Sequence, residues 1–322
     1  MRELIVNKND AGQRLDKFLG KAVKNLPSSL LYKSIRTKKI KVNRKRATID
    51  QILCEGDSIL LFISDEFFDD TASHVQLKLT PRIDVVYEDE NIILVNKRPG
   101  MLTHPDDNEQ QNTLIDHITT YLYQKGEYDP KLENSFAPAL CNRIDRNTGG
   151  IVIAAKNAKS LRILNQKIKD RELTKLYLAA VHGLFEKKSG RLTGYLVKNK
   201  STNTVKIFSK KPKFDDSNVL SIITDYRVIS ENGNTSLVEV DLITGRTHQI
   251  RAHMASIDHP LVGDGKYGIN RADREKGYKY QALYSYSLTF DFKTDADILS
   301  YLDKKTFKIP KESIWFYKDF AN

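Results

Sequence analysis

Residues 139–156 read ALCNRIDRNTGGIVIAAK, and this stretch carries the most information in the chain. It sets Asp145 between Arg143 and Arg146, follows them with a Gly149-Gly150 turn, and ends in a short apolar β-rich run. A carboxylate with cations close by is held in its ionised form. Reactive centres share that pattern with structural ion pairs, so the spacing alone leaves both readings open. The run 150–155 predicts a strand, which places Asp145 on a loop that feeds directly into a sheet. A second polar segment, LITGRTHQIRAHM over 242–254, supplies Arg246, His248, Gln249, Arg251 and His253 around a Thr-Gly turn.

Working outward, 83–87 and 92–96 are apolar runs joined by Glu88-Asp89-Glu90-Asn91, which predicts a hairpin. Helical spacing is present over 113–124, with Leu114, Ile115, Ile118, Tyr121 and Leu122 on one side, and over 157–170, with Leu161, Leu164 and Ile168 inward. Residues 125–138 read as a loop. Strands are expected at 175–182 and 236–243, and a helix at 247–257. Single helices interrupt strands without a regular βαβ alternation, which predicts an α+β domain over 81–322 with a mixed, largely antiparallel sheet.

The first 63 residues are different in charge. They hold 14 Lys and Arg against 6 Asp and Glu, which puts +8 of the chain's +11 there and leaves +3 for the rest. Such a concentration attracts a polyanion, though it also serves solubility. Residues 13–24 place Leu15, Phe18, Leu19 and Val23 at helical spacing, and Pro27-Ser28-Ser29 predicts a second helix start with a serine cap. That helix turns Leu30, Leu31 and Ile35 inward and leaves Lys33, Arg36, Lys38 and Lys39 outward. A strand at 39–43, a turn at Asn43-Arg44 and a closing strand at 57–63 complete a small module over 12–63. Residues 64–80 turn acidic, then polar, and read as a linker with a short strand.

Of 322 residues, 40% are hydrophobic, enough for one large or two modest domains. No run approaches the ~20 apolar residues of a membrane span, and MRELIVNKND has no apolar signal core. Cys54 and Cys141 are the two cysteines, too few for a disulfide framework, which fits a cytoplasmic protein. Cys141 reads as a buried thiol filling a strand position. His248, His253 and His259 lack metal-ligand spacing, and no phosphate-binding glycine motif is present, so neither metal nor cofactor is expected.

The two polar segments, N-R-I-D-R-N-T-G-G and G-R-T-H-Q-I-R, resemble the RluA family of RNA pseudouridine synthases, whose signatures are close to H-R-L-D-R-x-T-S-G and G-R-x-H-Q-I-R. Asn142 stands for the usual His and Gly149 for the usual Ser. Two further stretches, N-K-R-P-G-M-L-T-H-P over 96–105 and K-L-Y-L-A-A-V-H-G over 175–183, resemble the family's remaining motifs in the family's order. The basic module resembles the S4-type RNA-binding domain that often precedes such catalytic domains.

The resemblance implies isomerisation of uridine to pseudouridine in structured RNA, large-subunit (23S-type) ribosomal RNA foremost, by a monomer without a cofactor. It implies Asp145 as the anionic group at the sugar–base junction; attack on C1′, attack on the base and removal of a sugar proton all remain open. Arg246 matches the arginine that pairs with that aspartate, Arg143 the residue that displaces the target nucleotide, and Tyr177 the tyrosine of the base pocket. Leu242 and Ile243 are expected apolar walls, and His104 a loop-shaping or phosphate-contacting residue. Two other classes share the scaffold: an RNA binder without catalysis, and an RNA N-glycosidase that releases free uracil.

Overall fold

The computed structural model describes residues 1–68, 79–106, 109, 111–199, 201–213 and 218–321. In the basic module, β1 (Arg2–Ile5), α1 (Leu15–Ala22), α2 (Ser28–Arg36), β2 (Ile40–Val42), β3 (Lys45–Arg46) and β4 (Ser58–Leu61) form an antiparallel sheet of order β1-β4-β2-β3 under two helices. Leu15, Phe18, Leu19, Leu31, Ile35, Ile40, Ile59 and Leu61 make its core. Asn43 and Arg44 both have positive φ, 50° and 62°, which matches the twist of a two-residue hairpin between β2 and β3. The expected serine cap of α2 is absent. Pro27 holds the cap position at φ −57° and ψ 139°, its carbonyl accepts from Leu31 N–H, and Ser28 is already helical. Strand β1 escaped the sequence reading because its alternation is masked by charge.

The expected linker strand falls largely on 69–78, outside the described residues. The larger part begins with the predicted hairpin, β5 (Val85–Glu88) and β6 (Ile92–Lys97), followed by α3 (Leu114–Gln124), β7 (Ala139–Leu140), β8 (Gly149–Ala155), α4 (Ala158–Lys169) and β9 (Leu173–His182). Then come β10 (Ser189–Asn199), β11 (Thr204–Phe208), β12 (Leu220–Asn232), β13 (Thr235–Asp241), α5 (Gln249–Ala255), α6 (Arg271–Glu275), β14 (Leu283–Phe290) and β15 (Thr306–Lys308). Among the described residues, eleven strands form one sheet, with the path β11-β10-β12-β13-β9-β14-β8-β6-β5, β15 on β14 and β7 on β8. Every pairing is antiparallel except β8 with β14.

Strand periodicity explains the layering. Ile92, Leu94, Ile151, Ile153, Leu178, Ala180 and Leu237 face one side, with Leu164 of α4 against them. Ile93, Val95, Val152, Ala154, Tyr177, Ala179, Val181, Val238 and Val240 face the other, with Leu114 and Ile118 of α3 and Ile250 and Met254 of α5. Successive side chains alternate across a strand, so a sheet covered on both faces needs apolar residues at nearly every position. The β8 run 149–155 is buried throughout for that reason.

Gly149 and Gly150 open β8 and have a steric function. A β-carbon on Gly150 (φ +116°) would sit 2.1 Å from the Ser285 carbonyl oxygen of the parallel neighbour β14, and one on Gly149 would sit 2.3 Å from the Tyr284 ring. Gly149, where the resembled family has serine, therefore admits an aromatic ring against the strand.

The 125–138 loop meets the basic module through polar groups. Asn134 Nδ2 donates to Asp10 Oδ2 (2.7 Å) and to the Ile5 carbonyl (2.8 Å), and Ser135 Oγ donates to Asp10 Oδ1 (2.6 Å). Asn9 Nδ2 donates to Glu133, while Asn9 Oδ1 accepts from Ala158 N–H at the start of α4. Asp10 is fully buried by these contacts.

Candidate active site

The loop between β7 and β8 presents Asp145 on the α5 face of the sheet. Ile144 is buried in the apolar layer beneath it, and Thr148 N–H donates to the Asp145 carbonyl at 3.1 Å. The loop is clamped from below by Lys97, whose Nζ donates to the carbonyls of Arg146 (2.9 Å), Met101 (2.8 Å) and Arg98 (3.1 Å). Lys97 is 1% exposed. Burial drags its ammonium down to about 7, with the Asp145 charge opposing that and Arg146 adding to it. Asn142, in place of histidine, uses its side-chain oxygen to accept Ile153 N–H at 2.8 Å, a structural bond to β8.

The two flanking arginines do not pair with Asp145. Arg143 is exposed. Arg146 donates to the Gly100 carbonyl and bridges to Glu109 at 2.8 Å. Arg246, expected as the partner, is also exposed and precedes α5, with its backbone N–H given to Gln249 Oε1. The partner is Arg251: its Nη1 lies 2.8 Å from Asp145 Oδ2. The reason is helical register. The α5 helix starts at Gln249, so Arg251 lies in its first turn among buried residues, while Arg246 remains on the preceding loop.

Arg251 is oriented from behind. Asp264 takes its Nε at 2.7 Å and its Nη2 at 2.8 Å, which leaves Nη1 aimed at Asp145. Such a bidentate fork fixes both distance and plane. Asp264 is buried; burial opposes its ionisation, but the Arg251 bond and charge and the backbone N–H groups of Lys266 and Tyr267 outweigh that and hold its carboxyl below its ordinary range. The Tyr267 ring lies 5.3 Å from the Arg251 guanidinium carbon, and His248 Nε2 lies 3.9 Å from Asp145 Oδ2.

Tyr177, on β9, is buried on the same face of the sheet. Its hydroxyl is pushed up to about 12, first by burial, while the Ser285 hydrogen bond acts downward and the Asp145 charge upward, so it is a neutral phenol near Asp145. Leu242 packs against the same apolar layer and Ile243 is half-buried beside it. His104 stands near Arg143; burial, then the Arg143 charge, lower its proton affinity, with Asp116 opposing, and its Nδ1 is a buried atom without a partner among the described residues. Lys33, Arg36, Lys38 and Lys39 are exposed on α2 and the turn after it, in the separate basic module.

Sequence reasoning therefore brought Asp145, Tyr177, Leu242 and the 246–251 segment to one face but chose the wrong arginine, and it passed over Lys97, Asp264 and Tyr267. Lys97 ends an otherwise apolar strand, a visible oddity. Asp264 carried no local signal. His253 is buried with Nδ1 3.0 Å from the Thr224 hydroxyl, and Cys141, half-buried, has its thiol pushed up to about 12, first by burial, which suits an inert filler.

Residues 91–256 match the family model described as RNA pseudouridylate synthase. An RNA pseudouridine synthase of Mycoplasma capricolum, itself described as uncharacterized, is 34% identical over 315 residues, covering 95% of this chain and 96% of that one. The ribosomal large subunit pseudouridine synthase C of Buchnera aphidicola is 31% identical over 276 residues, covering 84% and 82%. Among solved structures, human RNA pseudouridylate synthase domain containing 4 shares the fold at a TM-score of 0.55 and 20% identity, over 70% of this chain and 87% of that one. With a family match across half its length and relatives matched nearly end to end, this chain belongs to the RNA pseudouridylate synthases and is an isomerase that makes pseudouridine in RNA.

Proposed function

We propose that the enzyme isomerises particular uridines of structured large-subunit ribosomal RNA, with the Asp145 carboxylate as the reacting anion and no cofactor. The name of the Buchnera relative supports the choice of RNA. The reaction breaks the N1–C1′ bond, turns the base, joins C5 to C1′, releases the C5 proton and leaves a proton on N1 in its place. No atom is gained or lost overall, so the protein's task is to hold the uracil while it is detached and to supply charge where the bond breaks. The observation that carries the reading is the placement of Asp145: three-quarters shielded, gripped on one oxygen by Arg251, and beside the neutral Tyr177. Tyr177 offers an aromatic edge or face to uracil, with Leu242 and Ile243 as apolar walls. Arg143, exposed, and the half-buried His104 within reach of its charge suit the displacement of a stacked nucleotide and contact with its phosphate.

The basic module acts in this reading as an S4-type RNA-binding domain over 12–63, joined by the 64–80 segment to a catalytic domain over 81–322. Its support is the +8 charge and a cleft of about 670 Å3 lined by Lys33, Arg36, Arg46, Tyr32 and Ile49, where cations meet an aromatic ring. The enzyme works as a monomer in the cytoplasm.

Asp145→Asn tests the assignment. It keeps shape and removes charge, so RNA affinity should persist while tritium release from 5-tritiated uridine RNA stops. Activity within about tenfold of wild type, roughly 1.4 kcal/mol of barrier, would refute it. Free uracil in place of pseudouridine would mark an N-glycosidase.

A further inference from the structure

His248 caps α5 in a left-handed backbone conformation, φ 54° and ψ 17°. Residues other than glycine are uncommon there, and backbone strain of this kind persists where the surroundings hold it in place. What holds it is Tyr267. The Tyr267 hydroxyl accepts from Val205 N–H at 2.9 Å and lies 2.9 Å from His248 Nδ1. With Val205 N–H donating to the hydroxyl oxygen, the tyrosine's own proton is free to be given to Nδ1, and we take the bond in that direction. A neutral imidazole in that arrangement carries its hydrogen on Nε2. The neutral form is favoured foremost by burial; Arg251 and Lys266 push the same way, Asp145 and Asp264 against it.

The Nε2–H is thereby delivered to the side of Asp145 Oδ2, 3.9 Å away, the oxygen that already accepts from Arg251 Nη1 at 2.8 Å. No hydrogen bond reaches Asp145 Oδ1 from the described residues. We propose that His248 is a positioning residue for the isomerisation: together with Arg251 it engages Oδ2, and so leaves Oδ1 as the oxygen turned to the uridine. Tyr267 acts through His248 by setting which ring nitrogen carries the hydrogen, and its ring also lies against Arg251. The proposal rests on the reading of Asp145 as the reacting carboxylate.

Two replacements separate this role from a merely structural one. Asn adopts left-handed backbone readily, and its short amide reaches only the region of Nδ1, near Tyr267. Gln places an N–H near the Nε2 position. A structural role is satisfied by H248N; a role through Nε2–H is restored better by H248Q. Single-turnover rates at saturating RNA should fall about tenfold in H248N, with RNA affinity unchanged, and H248Q should recover part of that loss. Y267F, which keeps the ring, should also slow the step in wild type but add little in the H248N background, because coupled residues are non-additive. Equal rates for H248N and H248Q, rates for both within twofold of wild type, or additive losses for Y267F and H248N would overturn the proposal. D145N run in parallel distinguishes the failures. An inactive D145N beside an unaffected H248N removes only the role of His248, whereas an active D145N removes the carboxylate reading and this proposal with it.

Discussion

Asp264 touches neither Asp145 nor any surface open to RNA, yet its replacement by asparagine should damage both stability and catalysis. Its Oδ2 accepts Arg251 Nε at 2.7 Å; its Oδ1 accepts Arg251 Nη2 at 2.8 Å, Lys266 N–H at 2.9 Å and Tyr267 N–H at 3.3 Å. The amide introduced by D264N would keep one acceptor oxygen and turn an NH2 group toward a guanidinium that also only donates. The Arg251 side chain is 8% exposed, so water does not replace the lost partner. Breaking a buried pair on one side costs about 3–5 kcal/mol. Arg251 retains Asp145 as a second carboxylate, which places the expected loss near the lower end, about 3 kcal/mol.

The pH dependence has a definite sign. Asp264 titrates below its ordinary 3.8 in the folded protein, so the unfolded chain binds more protons through that window and stability rises with pH there. The contribution is complete above about pH 4 and is lost as pH falls through the folded value. Urea unfolding of wild type and D264N should therefore differ by about 3 kcal/mol at pH 7, and the gap should narrow as pH falls below about 4. The single-turnover rate should fall as well, because a guanidinium released from Asp264 is free to close on both oxygens of Asp145. A stability loss under about 1 kcal/mol, or a gap that does not narrow in acid, would refute the buried-fork argument.

Exchange of the two arginines of the 246–251 segment gives a direct contrast. R251A should lower the single-turnover rate on the order of a hundredfold, while R246A, exposed and off α5, should weaken RNA binding with less than about a threefold change in rate at saturation; the reverse order, measured by tritium release, would restore Arg246 as the partner. Lys97 supplies a second pH test. Its folded-state value near 7 lies below its ordinary 10.5, so the cost of the buried ammonium is complete below pH 7 and lifts as pH rises toward 10. Wild type should gain stability relative to K97M between about pH 7 and 10 in urea melts; a constant difference would show that the three carbonyls hold the proton at its ordinary affinity.

The predicted hairpin, α3, α4, β8, β9, β13 and α5 all lie where local pattern placed them, because each carries its own periodicity in a short window. Strands β10, β12 and β14 were not recognised. β10 (SGRLTGYLVKN) contains two glycines, β12 is half exposed and polar along much of its length, and β14 (LYSYSLTF) mixes serine with tyrosine. Their strand character is conferred by neighbours in the sheet, and β-propensity is largely a measure of such context.

The site divides along the same line. The primary sequence alone determined the chemistry on offer: an aspartate on a loop entering a buried strand, a tyrosine on an alternating strand, a cationic segment at a helix start and a basic module ahead of them. Those are local properties, carried by residue type and by spacing within a few turns or strands. Tertiary structure alone decided which arginine meets Asp145, since Arg246 and Arg251 are five residues apart and only the start of α5 and the carboxylate of Asp264 select between them. It also decided that Lys97 clamps the Asp145 loop and that Asp10 is buried against Asn134 and Ser135. Each of these depends on contacts between residues distant in the chain, whose geometry is set by packing the sheet and not by any pattern within a single segment.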